Sequence, residues 1–156
     1  MVVGDTSLAG RAGRAVTQTA LQRKLVRTAA GFTSKARRLG RGGVITADDL
    51  ARIYLREDGR CFYCQTELDP MFATFDHTLP FERGGANTLD NIRLSCLTDN
   101  RQKFTMTVEE YRDWLALDRR CMGCQKPFKP RAADYRRGLG FYCSRRCSGR
   151  AGGLAP

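Results

Sequence analysis

One short segment holds the side chains of this sequence that are best suited to chemistry. Residues 75–103 read FDHTLPFERGGANTLDNIRLSCLTDNRQK and contain the single histidine of the chain, His77, directly after Asp76. The same segment contains Asn91 and Asn100, each directly after an aspartate. Imidazole is the side chain whose ordinary pKa lets it deprotonate water near neutral pH. We therefore take this segment as the candidate site.

The oxygen ligands of this segment suit a hard divalent cation. Mg²⁺ and Mn²⁺ prefer carboxylate, amide and water oxygens, and Asp76 and Asn100 offer one carboxylate and one amide. Such an ion stabilises the charge that develops on a phosphodiester and on its leaving oxygen. The segment fits phosphodiester hydrolysis, provided that folding brings Asp76 and Asn100 to one ion within reach of His77.

A C-terminal set of four cysteines has the spacing of a structural zinc site. The spacing is C-x2-C, then eighteen residues, then C-x3-C, and four thiolates leave no ligand position open for catalysis. The pattern resembles a treble-clef zinc finger, with a knuckle, a hairpin and a short helix that carries the last cysteine. The set comprises Cys121, Cys124, Cys143 and Cys147.

The first set of cysteines is less regular. Cys61 and Cys64 form one C-x2-C pair, and Cys96 follows alone. Asp99 stands where a second pair would place its last cysteine, and a carboxylate is an accepted zinc ligand. Two interpretations remain open: Asp99 completes a zinc site, or the cluster binds zinc weakly or not at all. The sequence therefore predicts one or two structural Zn²⁺ ions.

Two basic flanks enclose an acidic centre. Residues 1–43 carry nine basic side chains and one acidic, and residues 119–156 carry ten and one, whereas residues 61–118 carry five and ten. Basic flanks suit a phosphate-rich partner such as DNA or RNA, although solvated tails have the same composition. An acidic centre repels phosphate unless it holds a cation, which again indicates a metal site.

Helical patterns surround these motifs. Apolar residues recur at helical spacing from Thr17 to Leu39, before a glycine-rich linker. Thr46 followed by Asp49 predicts a second helix start, and Thr107 with Glu110 forms a capping box for a helix through about residue 117. The side chains expected to face inward are Leu21, Leu25, Ala29, Phe32, Leu50, Ile53, Tyr54, Leu55, Tyr111, Trp114 and Leu115.

The motifs of residues 59–104 resemble those of the HNH endonucleases, which have the ββα-metal fold. They are Cys61-x2-Cys64, Asp76-His77, Pro80 with Arg83-Gly84-Gly85, Leu89-Asp90-Asn91, Cys96 and Asn100. Asparagine replaces histidine at the last motif position, which is a common family variant. The resemblance implies that His77 is the general base and that Asp76 and Asn100 bind the catalytic Mg²⁺ or Mn²⁺. It also implies that Asn91 holds the loop.

The resemblance further implies an α+β fold with a small zinc-stapled ββα core, flanking helices and a four-cysteine finger. The activity implied is metal-dependent hydrolysis of DNA, with nicking favoured because one site cuts one strand. The side chains expected to contact nucleic acid are Arg83, Arg101, Lys103, Lys126, Arg136, Arg137, Arg145 and Arg146. The predicted organisation is a basic flexible or helical arm at 1–43, a nuclease domain at 44–118, the finger at 119–150 and a tail at 151–156.

The alternative is a non-catalytic zinc-finger module that binds nucleic acid, with His77 idle. The combination of Asp76, His77 and Asn100 favours the nuclease, because a binding module has no need of it. The sequence has no apolar run long enough to span a membrane and no signal-like N-terminus, so we expect an intracellular protein of a bacterial host. The pairing with a finger also resembles nucleases of phages and mobile elements, whose proteins are the further partners expected.

Overall fold

The computed structural model describes residues 8–150, with side chains from Thr19 onward, and divides into two compact units, Met1–Asn100 and Arg101–Pro156. The described helices are α1 (Leu8–Arg38), α2 (Ala47–Arg56), α3 (Leu97–Lys103), α4 (Val108–Ala116), α5 (Ala132–Tyr135) and α6 (Arg145–Arg150). The described strands are β1 (Thr74–His77), β2 (Ile92–Ser95), β3 (Arg119–Arg120) and β4 (Pro127–Phe128). Among the helices of this described part, none combines the length and apolarity needed to cross a membrane.

The centre of the first unit is a short hairpin followed by a helix. Strands β1 and β2 pair antiparallel, with Asp76 opposite Arg93 and His77 opposite Ile92. Helix α3 begins two residues after β2 ends. This order of two strands and a helix, within a mixed α+β chain, confirms the predicted fold class.

Helices α1 and α2 cover one side of this hairpin and close its core. The buried apolar cluster consists of Leu25, Ala29, Ile45, Leu50, Ile53, Ala73, Phe75, Ile92 and Leu94. Because Leu25 and Ala29 belong to this cluster, the middle of α1 is part of the folded core. The helix begins at Leu8, earlier than the apolar pattern from Thr17 predicted, and the first seven residues of the predicted arm lie outside the described residues.

Helix α2 begins where the sequence predicted. Thr46 is its N-cap and forms a reciprocal capping box with Asp49, which satisfies two backbone donors of the first turn. Leu50 and Ile53 are fully buried, but Leu55 is 76% exposed, so the prediction that Leu55 faces inward is wrong. Each residue turns an α-helix by about 100°, so Leu55 lies on the opposite side from Ile53.

The second unit combines a capped helix with a small cysteine-rich module. Thr107 and Glu110 form the predicted capping box of α4. Tyr111 and Trp114 are buried as predicted, whereas Leu115 is 39% exposed and lies at the edge of the buried face. After α4 come the β3–β4 hairpin and two short helices, and the last of them carries the final cysteine. This is the architecture predicted for the finger.

Candidate active site

The pleat of β1 separates the candidate residues between its two faces. Consecutive side chains of a strand point to opposite faces, so Asp76 shares a face with Thr74 and His77 shares the other with Phe75. Both Asp76 and His77 are 7% exposed. The carboxylate and the imidazole are adjacent in sequence but occupy different surroundings.

Helix α3 places Asn100 on the face that carries Asp76. The Nδ2 atom of Asn100 donates to Thr74 Oγ1 at 3.0 Å and to the carbonyl oxygen of Phe75 at 3.1 Å. Both amide hydrogens are therefore directed at β1, and the amide oxygen points away from these acceptors. The structure thus brings a carboxylate and an amide oxygen, distant in sequence, to one face, and this donor set fits a hard divalent cation.

His77 lies on the core side of the hairpin, between two aromatic rings. Its ring centroid is 4.1 Å from that of Phe81 and 4.7 Å from that of Phe32. Its Nε2 atom is 3.2 Å from Asn87 Oδ1, and Asn87 is fully buried. The amide nitrogen of Asn87 points toward the carbonyl of Gly43, which can only accept. The amide oxygen of Asn87 faces the ring and can accept a hydrogen from Nε2 in the tautomer that carries it there.

Asn91 ties together the loop that follows β1. Its Oδ1 atom accepts from Thr78 Oγ1 at 2.6 Å and from the backbone nitrogen of Leu79 at 2.8 Å. Its Nδ2 atom donates to the carbonyl oxygens of Leu79 and Ala86. The loop needs glycine at position 85, because a Cβ atom on Gly85 would lie 1.8 Å from the Leu79 carbonyl oxygen. One side chain thus holds both ends of the loop through four hydrogen bonds.

The first cysteine cluster converges on one point and includes Asp99. Single donor atoms of Cys61, Cys64, Cys96 and Asp99 all lie within 4.8 Å of one another. Asp99 Oδ2 is 3.1 Å from Cys61 Sγ and 3.2 Å from Cys96 Sγ. Three thiolates and one carboxylate form a complete donor set for tetrahedral zinc, so the geometry fits the interpretation in which Asp99 completes the site.

Zinc uptake at this cluster would be coupled to proton release. Burial raises the pKa of the Cys61 thiol and raises the pKa of Cys96 to about 12. Without metal both thiols are therefore protonated at neutral pH, whereas zinc binds the thiolates. Zinc affinity at this cluster should fall as pH falls, because protons compete with the metal for both sulfurs.

Elemental analysis of the purified protein is expected to give two zinc ions per chain. Replacing the carboxylate in Asp99→Ala should lower this to one, because three thiolates without a fourth protein ligand hold zinc less tightly. Asp113→Ala removes an exposed carboxylate of α4 that belongs to neither cluster, and should keep two. A single zinc ion in the unmodified protein would contradict the role of Asp99.

The second cysteine cluster has the same convergence. Single sulfur atoms of Cys121, Cys124, Cys143 and Cys147 lie within 4.8 Å of one another. Desolvation is the largest single effect on Cys121 and raises its pKa, but backbone N–H groups of Cys143, Gly123 and Cys124 together outweigh it and lower the pKa to about 6. A thiolate at neutral pH favours metal binding, so this cluster fits the predicted structural zinc site.

The basic side chains expected to contact nucleic acid differ in exposure. Those that are exposed are Arg83, Arg101, Lys126, Arg137, Arg145 and Arg146. Arg136 is half-buried, since its guanidinium lies 4.9 Å from the Phe104 ring centroid and donates to the Gln102 carbonyl. Lys103 is fully buried, which does not fit a contact with phosphate. Phosphate contacts in this conformation are therefore open to the exposed arginines and Lys126, but not to Lys103.

Two residues of the site were missed by the sequence analysis. Asn87 faces the imidazole of His77, and Tyr63 donates its hydroxyl to Asp76 Oδ2 at 2.5 Å. The available signals were the Gly-Gly-x-Asn sequence that ends at Asn87 and the position of Tyr63 between two cysteines. Neither signal predicts which residue Asn87 or Tyr63 contacts, because both contacts depend on how the loop and the Cys61–Cys64 turn fold onto β1.

Comparison with families of known proteins identifies the segment that contains this site. Residues 61–105 match the family model described as HNH endonuclease. The match includes the first cysteine cluster, both strands of the hairpin and α3, and it confirms over this segment the resemblance drawn from the motifs. No curated protein matches the chain.

Proposed function

We propose that this chain, which carries an HNH endonuclease domain at residues 61–105, is a metal-dependent enzyme that hydrolyses phosphodiester bonds of DNA. The observation that carries the proposal is the position of Asn100, whose amide is held on β1 by two hydrogen bonds on the face of Asp76. A binding module has no need to fix an amide on the strand face that carries a buried carboxylate.

Asp76 and Asn100 are the residues that would hold the divalent cation, Mg²⁺ or Mn²⁺. When bound, such an ion stabilises the negative charge of the transition state and the leaving oxygen. The Asp76 carboxylate also carries a negative charge in a segment of the chain where acidic residues outnumber basic ones. This acidic centre then attracts the cation, and the basic flanks contribute contacts to the nucleic acid.

His77 is the proposed general base. In the tautomer whose Nε2 donates to Asn87, Nδ1 carries the lone pair and is the atom that takes the proton from water. The rings of Phe32 and Phe81 both pack against the imidazole and restrict its rotation. Asn87 is accordingly a positioning residue, since it sets the tautomer and acts through His77.

Exposed basic side chains would bind the DNA strand. Arg83 lies in the loop after β1, and Arg101 follows the proposed metal ligand Asn100. On the finger the exposed candidates are Lys126, Arg137, Arg145 and Arg146. Such contacts position a phosphate backbone without reading its sequence. One active site per chain cuts one strand, so we propose nicking, and partners from a phage or mobile element remain part of the proposal.

A non-catalytic nucleic-acid-binding module is the second candidate, and one observation favours it. His77 is 7% exposed and lies between two phenylalanine rings, which is the environment of a core histidine. A general base must be reached by water. The proposed reaction therefore uses the small exposed part of the imidazole, whereas the binding module needs no access to it.

We expect purified, zinc-loaded protein to nick supercoiled plasmid when Mg²⁺ or Mn²⁺ is added. Omission of the added cation should stop nicking and its return should restore it, with the zinc content constant throughout. Asp76→Asn keeps the size of the side chain but removes its charge, and should lower the rate at least about 100-fold. Nicking by Asp76→Asn at the unmodified rate would contradict the assignment. Labelled RNA and single-stranded DNA of one sequence test the choice of DNA as substrate.

A further inference from the structure

One side chain of the turn between Cys61 and Cys64 contacts the candidate cation site. Tyr63 stands between Cys61 and Cys64, and its hydroxyl donates to Asp76 Oδ2 at 2.5 Å. Neither the zinc cluster nor the proposed cation ligands account for this contact. The contact connects the Cys61–Cys64 turn, which would hold zinc, with the Asp76 carboxylate, which would hold the catalytic ion.

The backbone that carries Tyr63 is itself fixed to the hairpin. The amide of Phe62, the preceding residue, donates to the Leu94 carbonyl of β2 at 2.9 Å. Within the turn, the Cys61 amide donates to Thr66 and the Gln65 amide donates to Cys61. The ring of Phe62 packs edge-on against that of Tyr63, with centroids 5.2 Å apart. These contacts deliver the Tyr63 hydroxyl at a defined position relative to β1.

A buried carboxylate gains from such a donor in two ways. Asp76 is 7% exposed, and a buried charge is costly unless it is hydrogen-bonded. The terminal torsion of an aspartate is also soft, so a single strong hydrogen bond to one oxygen decides which way the other oxygen points. We propose that Tyr63 is a positioning residue, which orients Asp76 for a divalent cation and couples the first zinc cluster to the cation site. This inference rests on the proposed function only in assigning that cation to Asp76.

The test compares two tyrosines in the first unit. Tyr63→Phe removes the hydroxyl that bonds Asp76, and Tyr54→Phe removes one that bonds the Leu68 carbonyl at 2.7 Å. The affinity for Mn²⁺ is measured by electron paramagnetic resonance on zinc-loaded protein, alongside zinc content and thermal unfolding. Tyr63→Phe should weaken Mn²⁺ binding about 10- to 100-fold with two zinc ions retained, while Tyr54→Phe leaves the Mn²⁺ affinity unchanged. Asp76→Ala identifies the binding site, because its loss of Mn²⁺ marks the ion in question.

The outcomes separate this inference from the proposed function. Unchanged Mn²⁺ affinity in Tyr63→Phe, or equal losses in both tyrosine variants, would overturn the role of Tyr63. So would a failure of the unmodified protein to bind Mn²⁺ in a manner that depends on Asp76. A protein whose Mn²⁺ affinity depends on Asp76 and Tyr63 but that nicks no plasmid would overturn the nuclease proposal and leave the positioning role supported.

Discussion

The His77→Ala protein is expected to nick plasmid about 10²- to 10⁴-fold more slowly than the unmodified protein, with DNA affinity unchanged. This is the usual contribution of a general base, and no other histidine in the chain can replace the imidazole. The basic side chains proposed to hold DNA are untouched by the change. Initial rates on supercoiled plasmid and binding isotherms on a short duplex, at one salt concentration, measure the two effects.

The burial of His77 allows a sharper version of this experiment. Alanine leaves a space between Phe32 and Phe81, so free imidazole added to the variant should restore part of the activity. Phe81→Leu removes one ring contact but keeps the base, and controls for loss of packing. Full activity of His77→Ala would exclude His77 as the base. Absence of nicking by the unmodified protein, together with tight DNA binding, would favour the non-catalytic module.

The second large effect is expected at the finger. Cys143→Ser should remove one zinc ion and unfold residues 119–150, because structural zinc contributes on the order of 10 kcal/mol to the folding of such modules. The four sulfur atoms converge from the Cys121–Cys124 turn and the Cys143–Cys147 segment, which are also joined by a backbone hydrogen bond from Met122 to Phe141. Zinc content and amide hydrogen exchange across the finger measure the change directly.

DNA binding provides the functional readout of the same variant. If the finger neutralises phosphates, its unfolding should lower both the affinity and the salt dependence, by about 0.9 in the logarithmic slope for each lost contact. Met122 lies between Cys121 and Cys124 with its side chain half exposed, so Met122→Ala removes no ligand and should retain zinc and affinity. An unchanged slope in Cys143→Ser would place the finger outside the DNA interface.

Helix starts, cysteine spacing and motif order, which are local in sequence, were predicted correctly, although the inward side of Leu55 was not. The capping boxes at Thr46 and Thr107 set the starts of two helices, because the donors and acceptors lie three residues apart. The spacing of the four C-terminal cysteines predicted a convergent cluster, and Asp99 joined the first cluster at the position that its spacing indicated. The motif order also predicted two strands and a helix around the site, since that order follows the chain.

Contacts between distant segments were decided by the tertiary structure. The pleat of β1 puts the adjacent Asp76 and His77 on opposite faces, but the packing of α1 and α2 decided which of the two faces joins the core. The packing of α1 onto the hairpin set Phe32 against His77, and the folding of the loop brought Asn87 to its ring.

The sequence by itself determined which donor atoms this protein has and which of them fall within one turn of chain. Spacing is enough for that, since a turn of helix or a knuckle closes over a few residues. Only the tertiary structure decided that Asn100 shares a face with Asp76, that Tyr63 bonds that carboxylate and that Lys103 is buried. Which of these residues share a face, and which are buried, depends on strand pairing and helix packing. Such contacts join residues that are far apart along the chain, and no periodic pattern in the sequence relates them.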